Sequence, residues 1–281
     1  MDRRSFLATG SAATLLPILA THATRLVAQP QAVGSGDAAL NAAFDKIFLQ
    51  VMKDSPGFAT SLGVDKGDLA YLRSTFDPKP YDVSRQEDVA HTRAALALLQ
   101  QISPGTLSPT AALNREIVIY GLEQNLVAYP RFGLSSVQNP YDISQQDGAY
   151  FSIPDFLNST HPIANAADAE AYLSRLSDFA KVLDFETADQ RAQAARGYLA
   201  PGWSLDLALG QIAKLRNQPA ASSGLVTSLA NRAKAKGIPG DWAGRATKIV
   251  ESQIYPAIDR QVAMLKELRP TTRPGDGATR L

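Results

Sequence analysis

From Asp37 onward the apolar residues fall on helical spacings. Leu40, Phe44, Ile47, Phe48 and Val51 recur three and four apart, so they share one stripe of a helix. Asp37 is placed to cap that helix and Pro56-Gly57 to end it. Ser84-Arg85-Gln86-Glu87 has capping-box spacing and predicts a helix to about Gln101, with Val89, Leu96 and Leu99 inward. Ser108-Pro109 opens the next helix, since a proline at the first helical position gives up an amide that has no partner there. That helix, TAALNREIVIYGLEQNLVAY, is apolar around most of its circumference, which predicts a central, buried element. Asn165, with Asp168 three residues on, caps a helix through Tyr172, Leu173, Leu176, Phe179 and Leu183. Further helices are predicted over about 187–199, 204–217, 222–236 and 239–268, the last kinked at Pro256. Period-two runs of β-branched residues are absent. The expected fold class is all-α: an irregular multi-helix array with long loops.

Two stretches break the pattern. Residues 55–83 read as loop. Residues 130–164 have no helical period and are rich in proline and aromatic residues. A long structureless stretch within a compact domain is usually functional or covered. Tyr129, Phe132, Tyr141, Tyr150, Phe151 and Phe156, with Asp142 beside them, are therefore the candidate cleft or ligand contacts.

Composition narrows the chemistry. The 281 residues suffice for one or two domains. Lys and Arg total 28 against 27 Asp and Glu, so charge gives no reason to expect nucleic acid or an anionic membrane as partner. The absence of cysteine excludes disulfides, thiolate catalysis and Cys-ligated metals. The only histidines are His22, His91 and His161, and none stands in an H-E-x-x-H zinc motif. His91 is expected on a solvated helix face near Glu87, and His161 in the loop before Pro162. No serine lies in a G-x-S-x-G elbow. Arg115, Glu116 and Glu123, on the most apolar helix, are expected to form a structural ion pair. No residue is assigned a catalytic or metal-binding role.

The first residues, MDRRSFLATGSAATLLPILATHATRLVAQ, differ from the rest. Arg3, Arg4, Phe6 and Leu7 form R-R-x-F-L, the pattern of a twin-arginine export signal. The apolar run behind them is too short and too rich in Ser, Thr and Gly to span a membrane. Residues 1–28 are thus expected to be an export signal, cut after Ala23 or Ala28, read by the twin-arginine translocase and leading to a periplasmic or secreted location with no stable membrane insertion. Residues 29–36 are expected to be a flexible tether, 37–268 a helical domain, and 269–281 a loop-like tail.

Several stretches in order, PGFATSLGVDKGDLAYL, LNREIVIYGLEQNL, NPYD, DAEAYLSRL, AARGYLAP, IYPAIDRQVAMLKELRP and GDGATRL, resemble the bacterial domain of unknown function 885 family. The resemblance spans essentially all of the chain behind the leader. It implies the N-terminal helical half of a gluzincin-like zinc metallopeptidase, in which the zinc helix follows the G-D-G-x-x-R-L segment. On that reading the chain inherits no metal or catalytic residue and no cofactor; zinc belongs to a full-length relative. The implied role is the helical wall of a substrate channel, whose partner is a missing C-terminal half. A self-sufficient secreted binding or scaffold protein using the aromatic loop 129–156 is the competing expectation. The two differ in surface: a half should expose an apolar patch, and a complete binder should present a defined pocket.

Overall fold

The computed structural model describes residues 33–134, 136–137, 140–273 and Gly275. The export-signal residues Arg3, Arg4, Phe6 and Leu7 lie outside the described residues, as do the rest of 1–32 and most of 274–281. Among the described residues there are ten α-helices and no strand. They are α1 (Asp37–Asp54), α2 (Pro56–Leu62), α3 (Tyr81–Gln100), α4 (Pro109–Val127), α5 (Ala149–Asp155), α6 (Ala166–Ala195), α7 (Gly202–Arg216), α8 (Gly224–Ala235), α9 (Trp242–Ile249) and α10 (Tyr255–Leu268). The all-α class stands. None of the described helices is long and apolar enough to cross a membrane.

Several local expectations change. Asp37 does not cap its own helix; its carboxylate accepts from Gly34 N (3.0 Å) and Ser108 N (2.9 Å), tying the start of α1 to the start of α4. Gly36 N also donates to Thr106 O at 2.9 Å. A Cβ on Gly34 would sit 2.4 Å from Ser108 N, so only glycine fits there. The described end of the expected tether is therefore held down. The described start of the tail is held too: residues 269–271 form a short 3₁₀ turn. The first helix stops at Asp54, just before Pro56-Gly57, but Pro56 begins α2 where a loop was expected, and Gly63 closes α2 in the left-handed region (φ +69°). The Ser84–Glu87 capping box does not form. Pro80 starts α3 early, Ser84 lies inside the helix, and Glu87 meets Lys79 Nζ at 2.6 Å. Residues 130–164, expected as loop, contain α5 and a wider π turn at Phe156–Thr160. The helix capped by Asn165 (Asp168 N to Asn165 Oδ1, 3.0 Å) runs unbroken for 30 residues. A π turn at Val250–Ile254 precedes Pro256 where a simple kink was expected.

The main core gathers α5 to α10 around α6, with Tyr172, Leu176, Phe179, Leu183, Leu205 and Ile258 fully enclosed. Five bidentate arginine–carboxylate pairs stitch its surface. Arg191–Glu267 and Arg260–Asp184 join α6 to α10, and Arg245–Glu170 joins α6 to α9. Arg216–Asp259 joins α7 to α10, and Arg269, just past α10, pairs with Asp206 of α7. A second, smaller cluster packs α1, α3 and α4 around Leu40, Ala43 and Leu99. A third sits under α2 around Met52, Ala59 and Leu72.

The family signature PGFATSLGVD belongs to the joint between these clusters. Arg175 of α6 is fully buried. Its guanidinium donates to Pro56 O (3.1 Å), Thr60 Oγ1 (2.8 Å), Leu72 O (2.9 Å) and Thr75 O (3.1 Å), and Nη1 donates to His161 Nδ1 at 3.2 Å. Phe76 and Phe156 lie over it. Beside it Arg73 bridges Asp65 (2.9 Å) and Asp168 (2.7 Å). His161, expected in a loop, is a core residue. Its Nε2 donates to Asp168 O at 2.9 Å. Burial, chiefly, with the charges of Arg175 and Arg232, pushes its pKa down to about 4, so the ring is neutral.

The largest departure is α4. Apolar around most of its circumference, it was expected at the centre, yet none of its residues is buried. It packs chiefly on α3 and α1, turning Val118, Ile119 and Leu122 inward. Leu113, Ile117 and Tyr120, on successive turns, are 55%, 59% and 65% exposed. Arg115 donates to Leu99 O at 3.0 Å, at the end of α3, instead of forming the expected ion pair.

Candidate functional site

Two cavities flank α3. The first, about 520 Å³, lies between α1, α3 and the end of α4, against Tyr129, Ser136 and Val137. The second, about 460 Å³, lies between α3, α6 and the 136–147 stretch. Arg85 and Ser136 line both, so the two meet there as one cleft.

In the first cavity His91 accompanies Asp54, not Glu87. Its Nδ1 is 2.9 Å from Asp54 Oδ2, and Gln50 Nε2 donates to Asp54 Oδ1 at 2.9 Å. The pair is partly exposed, so it contributes little to stability. His91→Ala is expected to cost under about 1 kcal/mol in a urea titration; a loss of several kcal/mol would show that the pair anchors α3 to α1.

The second cavity concentrates carboxyl groups. Asp189 and Glu186 stand one turn apart on α6, facing Asp142 from the connecting stretch, among Phe76, Tyr81, Tyr141 and Phe185. Glu186 accepts from Ala149 N and Gln261 Nε2, both at 2.8 Å. Burial lifts its pKa to about 7 against those two hydrogen bonds. Asp189 rises further, to about 8, through burial and then through its hydrogen bond with Asp142. Two carboxyls sharing one hydrogen bond hold one proton between them. Arg85 opposes that rise and Asp82 adds to it.

These shifts have a sign. A carboxyl whose pKa is raised on folding favours the fold below its unfolded value, near 4, and that contribution disappears as pH climbs through about 7 to 8. The melting temperature is therefore expected to fall between pH 5 and pH 9. Asp189→Asn, which keeps the shape and removes the second ionisation, should flatten that fall, by roughly 2–4 °C at pH 9 for a chain of this size. A melting profile with the same slope in both proteins would refute the shared proton.

The candidate residues from the aromatic stretch divide. Tyr129 lines the first cavity, and Tyr141 and Asp142 line the second. Tyr150 is a core residue whose hydroxyl lies within hydrogen-bond distance of Ser144 O (2.6 Å) and Gln211 Oε1 (2.8 Å). Phe156 packs edge-on to Phe76 under Arg175. Phe132 and Phe151 face outward, 42% and 52% exposed. Asp189, Glu186 and Arg85 were missed. The available signal was positional: Asp189 and Glu186 sit on the same side of α6 as buried Leu183 and Gln190, where a carboxyl needs a reason. Among the described residues no group of three His, Asp or Glu is placed to hold a metal ion.

Residues 56–280 match the family described as bacterial protein of unknown function, DUF885. The chain belongs to that family. A solved structure, described as the "putative lipoprotein" from Colwellia psychrerythraea, shares the fold with a TM-score of 0.72 at 18% identity. The match covers 85% of this chain and 42% of that one, so this chain spans less than half the length of that relative. No curated protein matches the sequence.

Proposed function

We propose that this chain is the helical, non-catalytic portion of an exported metallopeptidase-like protein. It supplies one wall of a substrate cleft and an apolar face on which further polypeptide packs. The observation that carries this reading is α4. A helix apolar around most of its circumference is made to be covered on more than one side, and here one apolar side, Leu113, Ile117 and Tyr120, is open. The relative's additional length is consistent with such a cover. The R-R-x-F-L start supports export through the twin-arginine translocase.

The cleft favours the second reading, a self-sufficient secreted binder, and one experiment separates the two. The chain is co-expressed with the polypeptide encoded directly downstream, with and without Ile117→Asp and Tyr120→Asp. In the chain alone each exposed substitution should stay within about 0.5 kcal/mol of wild type. A 1:1 complex weakened at least about 30-fold by the pair supports the reading, since burying such side chains stabilises by about 2 kcal/mol each. A chain that dimerises by itself through α4, or one indifferent to the downstream product, overturns it.

A further inference from the structure

The second cavity has features that neither the packing nor the α4 face explains. It is closed by aromatic rings on several sides, Phe76, Tyr81, Tyr141 and Phe185, while its polar groups are mostly acidic. Asp189 Oδ2 is buried with no hydrogen-bond donor among the described residues. In the same lining Arg85 Nε is likewise buried and without an acceptor. Its Nη1 is fixed on Asp88 at 3.0 Å and its guanidinium lies 4.7 Å from the Tyr81 ring centre, so the side chain is held in place with one N–H unused. The lining thus lacks a donor at Asp189 and an acceptor at Arg85. Glu186 has no such vacancy, being occupied by Ala149 and Gln261.

We propose that this cavity binds the free amino terminus of a peptide, with its ammonium group on Asp142 and Asp189 and its first carbonyl oxygen on Arg85. A primary ammonium beside a carbonyl carries the missing donor and the missing acceptor a few ångströms apart. The rings suit both a cation and the first side chain of the ligand. The volume, about 460 Å³, lies in the range that encloses small ligands. The proton balance is explicit. The free pair holds one proton between two carboxyls; the ammonium, with three N–H donors, takes the place of that proton, which leaves to solvent. Around the pair stand Tyr81, Asp82 and Arg85 from α3, Tyr141 and Asp147 from the connecting stretch, Glu186 from α6, and the mutually paired Asp77 and Lys79. Asp82 and Glu186 reinforce a bound cation, and Arg85 opposes it while holding the carbonyl.

This deepens the reading of the cleft as a substrate wall and does not depend on what covers α4. The test is calorimetric titration of the full chain with Leu-Gly amide and with N-acetyl-Leu-Gly amide at pH 7, in two buffers of different ionisation heat. The free amine is expected to bind with release of close to one proton. Acetylation should weaken binding at least tenfold, as should Asp189→Asn, whose melting temperature stays at or above wild type. Arg85→Lys, which loses the planar fork, should weaken it too. Equal affinity for the acetylated ligand, unchanged affinity in Asp189→Asn, or no binding of either ligand overturns the proposal. None of these outcomes alters the co-expression result, so the two readings fail separately.

Discussion

Arg175→Ala is expected to remove about 4–5 kcal/mol of stability, enough to unfold much of the population at 25 °C in a domain of ordinary stability. The cost comes from what the missing side chain leaves behind. Three carbonyls, a hydroxyl and the His161 ring currently face one guanidinium in a site closed to water. Alanine leaves Thr75 O and the His161 ring without this donor and Pro56 O and Leu72 O with only their weaker partners, at a cost of about 1–3 kcal/mol for each group left unpaired unless water enters. It also opens a cavity beneath Phe76 and Phe156. Lysine should recover little, because a point charge with three donors cannot span the same fork. Urea denaturation gives the number directly; a loss below about 2 kcal/mol would mean that the site relaxes or hydrates. His161 adds a pH dependence. Its value of about 4 lies below that of a free imidazole, so the stability tied to its neutral ring is complete above about 6.5 and disappears as pH falls through 4.

Asp168→Ala comes next, at about 3 kcal/mol. Its carboxylate accepts from Arg73 Nη1 (2.7 Å) and Ala164 N (2.9 Å) while nearly fully buried. Alanine strands both donors and removes a negative charge from the first turn of α6. Asn should restore about half, since one oxygen can still accept from one of the two donors. Loss in denaturation experiments of less than about 1 kcal/mol for the alanine variant would show that Asp65 alone suffices to hold Arg73.

The sequence made the fold class legible because helix signals here are local. Ser108, Pro109 and Asn165 act within one turn of their own position, and each does what its type predicts. Boundaries failed where a distant residue captured the local group. Asp37 reached Ser108 and Glu87 reached Lys79, and no spacing rule contains such partners. The same limit governed the cleft. Tyr129, Tyr141 and Asp142 were recognisable as residues of an unusual stretch. Asp189 and Glu186 belong to no motif, and only the fold brings Asp142 to their side of α6. His91 shows the converse: its neighbour four residues back is irrelevant, and its true neighbour comes from α1. With α4 the pattern and the structure disagree outright, since periodicity reports how apolar a helix is and not which chain covers it.

The arginine pairs on the main core have a mechanical consequence. Singly each stabilises by no more than about 1 kcal/mol. Together they act as a set of keys. Sliding α10 along α6 by one turn would break Arg191–Glu267 and Arg260–Asp184 at once, and through α10 would also pull on α7. Shear, one way packed helices adjust to a ligand, is thereby opposed in this half of the molecule. No bidentate pair of this kind joins α1, α3 and α4 to one another among the described residues. The cleft runs along the boundary between the two halves. One jaw is keyed in register by these pairs, and the other, carrying His91 and Arg85, is held by single contacts such as Asp37–Ser108, Arg115–Leu99 and His91–Asp54.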